Sequence, residues 1–582
     1  MGRRPAGGMH IDRVRSRHTV SSGETRHYES SLLRRSYRKP NGKVGKQTLA
    51  NLSMLPAAAV DAIDAVLKGK TLVEADAALQ VSRSLPHGHV ALVHAMATRL
   101  GLPALLGPAC RERDLAYALV LSRVAHPKSK LATLGWWNDT TLGADLGVIG
   151  ASRNEVYAAM DWLLGRQDAI EAGLAGRHLV EGGMAMFDLS SSWVEGRCCE
   201  LAARGYSRDA KKGTLQIEYG LLTDPEGRPV AIRVFPGNTA DPTAFTEAVQ
   251  LVRDKFGLSR LTLVGDRGMI TSARIDALRE LGGLDWITCL RAPAIAKLAA
   301  DDGPLQLSLF DQQDLAEITH PDYPGERLIA CRNPHLAADR ARQRAELLDA
   351  TETLLAPLVT AVADGRLAGA GQIGIKTGKL INKFKMAKHF DVTITDTSLT
   401  ITRRQAQITA EAALDGIYVL RTPVPATTLD APATVAAYKN LSHVEADFRS
   451  LKTIDADLRP IHHYLSDRVR AHVLICMLAC YLTWHLRHAL AQLTYTDEHP
   501  PVRDNPVAPA TGSAHAASKA ARHHDHTGQP LHNFRGLLEH LATLTRNTIT
   551  LGQATFDKIT TPTPIQRRAF ELIGAPIPLS LK

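Results

Sequence analysis

Residues 435–452 read VAAYKNLSHVEADFRSLK. No Gly or Pro interrupts them, and Pro432 stands just ahead, where a first helical turn tolerates it. The stretch therefore predicts one helix. Tyr438, Leu441, Glu445, Arg449 and Lys452 follow at steps of three, four, four and three, which places them on one helical face. Val444, Phe448 and Leu451 form an apolar stripe beside them. Such a helix packs on a body while offering one acid and two bases. Taken alone, the same pattern also fits a solvated helix face.

Two acids upstream change that reading. Asp188 follows the apolar run Met184 to Phe187 in GMAMFDLSSSWVEG, residues 183–196. Asp266 follows Leu261 to Val264 in LSRLTLVGDRGMIT, residues 258–271. An acid at a strand end, followed by Gly or Ser, is how a sheet presents a carboxylate to a cleft. Either Asp alone also reads as a turn former or a helix N-cap. Asp188, Asp266 and Glu445 together form an oxygen-ligand set suited to hard divalent cations.

At these residues the chain resembles the DDE-type insertion-sequence transposases of the insertion-sequence-four superfamily. These are ribonuclease-H-like recombinases with a long insertion before the catalytic Glu. Their Tyr-x2-Arg-x3-Glu-x6-Lys signature reads here as Tyr438, Leu441, Glu445 and Lys452, with Leu441 where the family has Arg. Further similar segments are GYSRDAKKGTLQIEYGLLTDPEGRPV, FPGNTAD, GDRGMIT, AKHFDV, EAALDGIYVLRT and LRPIHHYLSDRVRAH, and the resemblance spans roughly residues 30–490.

The resemblance implies a transposase that cleaves DNA at insertion-sequence ends and transfers the freed strand into target DNA. It implies Asp188, Asp266 and Glu445 as catalytic metal ligands, with Asp188 shared between two Mg²⁺ ions and Mn²⁺ able to substitute. Tyr438, Arg449 and Lys452 would then contact the DNA backbone. The expected partners are double-stranded DNA, as terminal inverted repeats and target, and a second copy in a homodimeric end complex. A ribonuclease-H-like nuclease without strand transfer, or a catalytically silent DNA-binding derivative, are the alternatives. An ATP-driven motor is excluded, because Gly374 to Leu380 lacks the spacing and hydroxyl of a phosphate loop, so no nucleotide cofactor is expected.

Composition agrees with a nucleic-acid partner. Lys and Arg number 69 against 59 Asp and Glu, a net charge of +10. Seven Cys in 582 residues argue against a disulfide framework. The basic N-terminus has no apolar segment behind it, and the most apolar stretch, Val473 to Trp484, is short for a bilayer. A cytoplasmic, nucleoid-associated bacterial protein without a membrane is expected.

The fold class expected is mixed α/β, a ribonuclease-H-like core interrupted by a partly β insertion and preceded by a mostly helical region with a β-hairpin. Residues 1–30 read as a disordered basic tail. Residues 31–180 read as a DNA-end-binding and dimerisation region. It opens on a hairpin turning at Pro40-Asn41-Gly42-Lys43, whose Arg34, Arg35 and Arg38 are candidate DNA contacts. The core would occupy 181–300 and 416–493, with the insertion at 301–415. That interruption fits the spacing, since 78 positions separate Asp188 from Asp266 and 179 separate Asp266 from Glu445. Arg208, Lys211 and Lys212 would line a phosphate path. The stripe His472, Cys476 and Cys480 reads as core, because a zinc site would need a fourth ligand. Residues 494–530 read as a low-complexity linker and 531–582 as a C-terminal segment without an assigned role.

Overall fold

The computed structural model describes residues 8–19, 21, 25–70, 79–209, 211–300, 303–502 and 505–581. The chain forms two compact units, one of Met1–Ser84 with Asn547–Lys558, the other of Leu85–Arg546 with Ile559–Lys582.

The smaller unit contains an antiparallel sheet of β1 (Met9–Thr19), β2 (Thr25–Arg38) and β3 (Val44–Asn51). The expected hairpin is present, with Gly42 at φ 79° in its turn. Of the tail expected to be disordered, residues 1–7, 20 and 22–24 lie outside the described residues, and residues 9–19 are a strand, pairing along their length with β2 from Met9↔Arg35 to Thr19↔Thr25. Charge holds this polar strand in place: Asp12 accepts from Arg34 on the adjacent β2 at 2.9 Å and from Lys46 on β3 at 2.7 Å. The supposedly helical stretch beyond it contains a strand, β4 (Leu79–Pro86).

The larger unit is built on an eight-stranded sheet. Its members are β5 (Met184–Trp193), β6 (Gln216–Thr223), β7 (Pro229–Pro236), β8 (Leu261–Val264), β9 (Leu284–Cys289), β10 (Leu315–Ile318), β11 (Arg327–Arg332) and β14 (Ile417–Thr422). Their order is β10-β11-β14-β9-β8-β5-β6-β7. β5, β6 and β7 run antiparallel, while β5, β8 and β9 run parallel. This is the ribonuclease-H-like arrangement. β6 and β8 are buried along their whole length, β6 with the polar side chains of Gln216 and Glu218 among the buried ones.

Two expected boundaries shift. β10 and β11 lie inside the 301–415 interruption yet extend the main sheet, β11 pairing with β14 and β14 with β9. Only residues 334–412 form a separate lobe: helices Pro334–Ala363 and Ala370–Ile381, a hairpin of β12 (Phe390–Ile394) and β13 (Leu399–Arg403), and helix Gln405–Ala412. That lobe has apolar clusters of its own around Phe390 and Ile373. Nor is 494–530 a free linker. Val507 is buried, and its carbonyl accepts from Lys439 at 2.8 Å and Asn333 at 3.2 Å. Lys519 is buried on Glu498 at 2.7 Å. Lys439 and Asn333 reach this carbonyl across long sequence gaps, a tie that low complexity does not advertise.

Helix Ser466–Ala489 is long and apolar enough to cross a membrane, but 83% of its apolar window is buried inside the protein. It packs against β7 and helices Arg111–Ala125 and Arg153–Leu164. His472, Cys476 and Cys480 are buried along it as a core stripe. The C-terminal segment supplies helices Phe534–Ala542 and Pro564–Leu572, which pack on helix Gly88–Arg99. Between them, β15 (Thr545–Leu551) and β16 (Ala554–Ile559) form a three-stranded sheet with β4, in the order β16-β15-β4.

Candidate active site

The parallel ladder brings the two aspartates together. Met186 on β5 pairs with Val264 on β8, and two residues further along each chain segment come Asp188 and Asp266. Asp188 is still on β5, whereas Asp266 lies in the turn that follows β8. Asp188 is partly buried and one oxygen accepts from Leu189 N at 2.7 Å. Its carboxyl is pushed up to about 7, chiefly by burial. The Leu189 N–H and Arg208 pull against that rise, and Asp266 and Glu445 add to it. Both acids therefore act on Asp188 through space, although Glu445 lies 257 positions away in sequence.

Asp266 is exposed, and its Oδ1 accepts from Gly268 N at 2.8 Å and Met269 N at 3.0 Å. That leaves Oδ2 for a ligand. A Cβ on Gly268 would stand 3.2 Å from both Asp266 Oδ1 and Asp241 Oδ2, so the missing side chain lets these two acids approach each other.

The helix bearing Glu445 is not the single run expected. Helix Ala431–Lys439 ends at Asn440, helix Leu441–Arg449 follows, and a π turn covers Ser450–Ile454. Helix Leu441–Arg449 packs on β5 and β6 through Val444 and Phe448, the Phe448 ring lying 5.8 Å from that of Tyr219. Glu445 and Arg449 are exposed beside this stripe. Leu441 packs against the core, as does Tyr438, whose phenol is influenced by Asp266 and Asp188. Lys452 does not share Glu445's exposure. The π turn inserts an extra residue, and Lys452 turns inward to donate to Asp209 Oδ1 at 2.7 Å. Burial lowers its ammonium pKa, Asp209 opposes that shift, and Arg459 donates to the same oxygen.

Asp241 and Glu218 complete the surroundings and were absent from the sequence expectation. Arg208 donates to Asp241 at 2.7 Å and lies 3.5 Å from Glu218, whose carboxyl burial pushes up to about 7. Asp241 lies in FPGNTAD and Glu218 in the GYSRD segment, so the similar segments carried the signal without assigning a role. Lys211 and Lys212 are exposed, Lys211 standing 3.7 Å above the Trp193 ring. In the smaller unit, Arg35 and Arg38 are exposed on the ribbon, and Arg34 is held by Asp12.

Among the described residues, no three His, Cys, Asp or Glu side chains stand close enough to hold one ion together. Burial, helped by the acids beside it, disfavours the charge on Asp188, a penalty that a divalent cation would relieve.

Residues 194–482 match the family model described as transposase DDE domain. This region is similar to a transposase DDE domain. The match takes in Asp266 and Glu445, and Asp188 stands on the strand that leads into it, β5. A comparison with curated proteins finds no match for the chain. Among solved structures, a piggyBac transposase synaptic complex with hairpin DNA aligns over 78% of this chain and 76% of its own. The identity is 9% and the TM-score 0.33, too low to add to the case for the DDE domain.

Proposed function

We propose that the chain catalyses metal-dependent cleavage of DNA at insertion-sequence ends and joins the freed strand to target DNA. The observation that carries this reading is the match of residues 194–482 to a transposase DDE domain, which takes in Asp266 and Glu445, with Asp188 on the strand leading into it. Asp188, Asp266 and Glu445 would hold the two Mg²⁺ ions, with Asp188 as the shared ligand. When bound, such ions lower the pKa of an attacking water or 3′-hydroxyl and stabilise the leaving oxygen. The protein's own work is positioning. Asp266 is fixed by the two backbone N–H groups of its turn, Asp188 by the ladder, and Glu445 by Phe448 packed on Tyr219. Arg208 pairs with Asp241 and offsets the negative charge beside Asp188. Arg449 is exposed for a phosphate contact, whereas Lys452 acts through Asp209 and braces the segment before β6. DNA ends, target DNA and a second copy of the chain are the partners this reading requires.

The test is nicking of a duplex carrying the element end. Wild-type protein should cut it with Mg²⁺ or Mn²⁺, and Ca²⁺ should support binding only, because it prefers looser, higher coordination. An Asp266→Ala variant that still nicked the duplex would overturn the assignment. A wild-type protein that nicked but never joined a pre-cleaved 3′ end would reduce the activity to that of a nuclease.

A further inference from the structure

A second cavity lies apart from the three carboxylates. It has a volume of about 270 Å³ and is lined by helices Arg111–Ala125, Lys130–Asn138 and Ser466–Ala489 and by the segment around Pro460. Its lining is cationic. Lys130 is 6% exposed and Arg123 5%, and among the described residues neither has a carboxylate partner. Lys130 Nζ lies 3.0 Å from His472 Nδ1, and His472 Nε2 lies 3.2 Å from the Leu458 carbonyl. A carbonyl only accepts, so Nε2 carries the proton and Nδ1 accepts from Lys130. Arg123 donates to the Ala456 carbonyl at 3.3 Å.

Arg459 also lines the cavity, and its Nε is buried without a partner. Lys128 stands exposed at the rim, and Ser129 caps helix Lys130–Asn138 by accepting from Ala132 N at 3.2 Å. The positive end of that helix adds to the field. The one acidic lining residue is Asp457, which is exposed. Burial presses Lys130, His463 and His472 toward their neutral forms, the expected response of buried bases that lack a counter-ion.

Buried cations without a carboxylate are expensive to keep unless an anion completes them. We propose that this cavity binds a phosphoryl oxyanion, with Lys130, Arg123 and Arg459 as its donors and Lys128 at its entrance. The oxyanion is either free phosphate or a phosphodiester of the DNA backbone. Arg459 joins the cavity to the Asp209–Lys452 pair, so a backbone phosphate held here would also touch the brace beside the DDE site. The inference does not depend on the three carboxylates being catalytic.

The experiment follows thermal unfolding and calorimetric titration of the full chain in sodium phosphate, against sodium chloride at matched ionic strength. Phosphate should stabilise the wild-type protein in a saturable way. Lys130→Met keeps an unbranched stem and removes the charge, and should weaken phosphate binding about tenfold or more. Lys128→Gln changes an exposed side chain, folds in any case, and should weaken it roughly two- to fivefold. Phosphate that displaces a short duplex from wild type, and not from Lys130→Met, identifies the occupant as backbone phosphodiester. Phosphate that binds without displacing the duplex identifies a free anion. A response no greater than that to chloride, or one unchanged in both variants, overturns the proposal.

Discussion

Asp188 reaches the site on β5 and Asp266 from the turn just past the neighbouring parallel strand β8, whereas Glu445 arrives on a helix interrupted on both sides. The two routes differ in how well sequence spacing survives folding. In the ladder, Met186↔Val264 sets the register, and a step of two along each segment lands on an acid, with no cumulative error. Along the helical stretch, phase holds only inside Leu441–Arg449, where Glu445 and Arg449 both remain exposed. Beyond it, one π turn sends Lys452 into the protein. A side chain three residues past Arg449 thus exchanges a solvent role for a buried ion pair.

The sharpest way to break this comparison is at the acids themselves. Asp188→Asn, Asp266→Ala and Glu445→Ala should each lower cleavage by about a thousandfold or more, since members of a cooperative site fail nearly together. Circular dichroism should show all three variants folded, because Asn preserves the shape of Asp188 and the other two acids are exposed. Retained cleavage in Glu445→Ala would mean that the helix does not deliver its acid to the strands.

Lys452 and Arg449 separate the buried outcome from the exposed one. Lys452→Ala removes one of two cations from the buried Asp209 and should cost about 2 kcal/mol in denaturant unfolding. Arg449→Ala should stay within about 0.5 kcal/mol. Equal costs for the two variants would return Lys452 to the exposed face.

The pH dependence should follow the same burial. Asp188 and Glu218 are raised to about 7 and Asp447 to about 8, burial being the largest cause for each. The folded chain then holds protons that the unfolded chain releases above about pH 4. This contribution is fully present below that pH and is lost as pH rises through about 7 and about 8, at up to about 1.4 kcal/mol per pH unit for each group. Asp447→Asn mimics the protonated form, and its melting temperature should fall less than that of wild type between about pH 5 and about pH 8. A variant profile parallel to wild type would show that Asp447 is ionised throughout.

The smallest effect belongs to the ribbon, where strands carry cations instead of acids. Replacing exposed Arg35 and Arg38 by Gln should lower the slope of log DNA affinity against log salt by about 0.9 for each phosphate no longer neutralised. Arg34→Gln should change it less, since Asp12 already holds that guanidinium. An unchanged slope in the double variant would make the ribbon an ordinary solvated sheet.

Much of the larger unit was legible in the sequence. The apolar runs Met184 to Phe187 and Leu261 to Val264 marked β5 and β8, and the acids that follow them stood out only as a set with Glu445. Local periodicity determined these features because each depends on residues within one or two turns or strands.

Tertiary structure alone decided the rest. Residues 9–19 became a strand because β2 lay alongside to pair with them and Asp12 found Arg34 and Lys46. Leu328 and Ile329 joined the main sheet because β14, about 90 residues later, offered its edge. The stretch around Val507 became ordered because Lys439 and Asn333 supply donors to its carbonyl. Asp209 claimed Lys452 across 243 positions. Each outcome rests on a partner far away in the chain, and no local pattern of hydrophobicity or charge encodes where that partner will be.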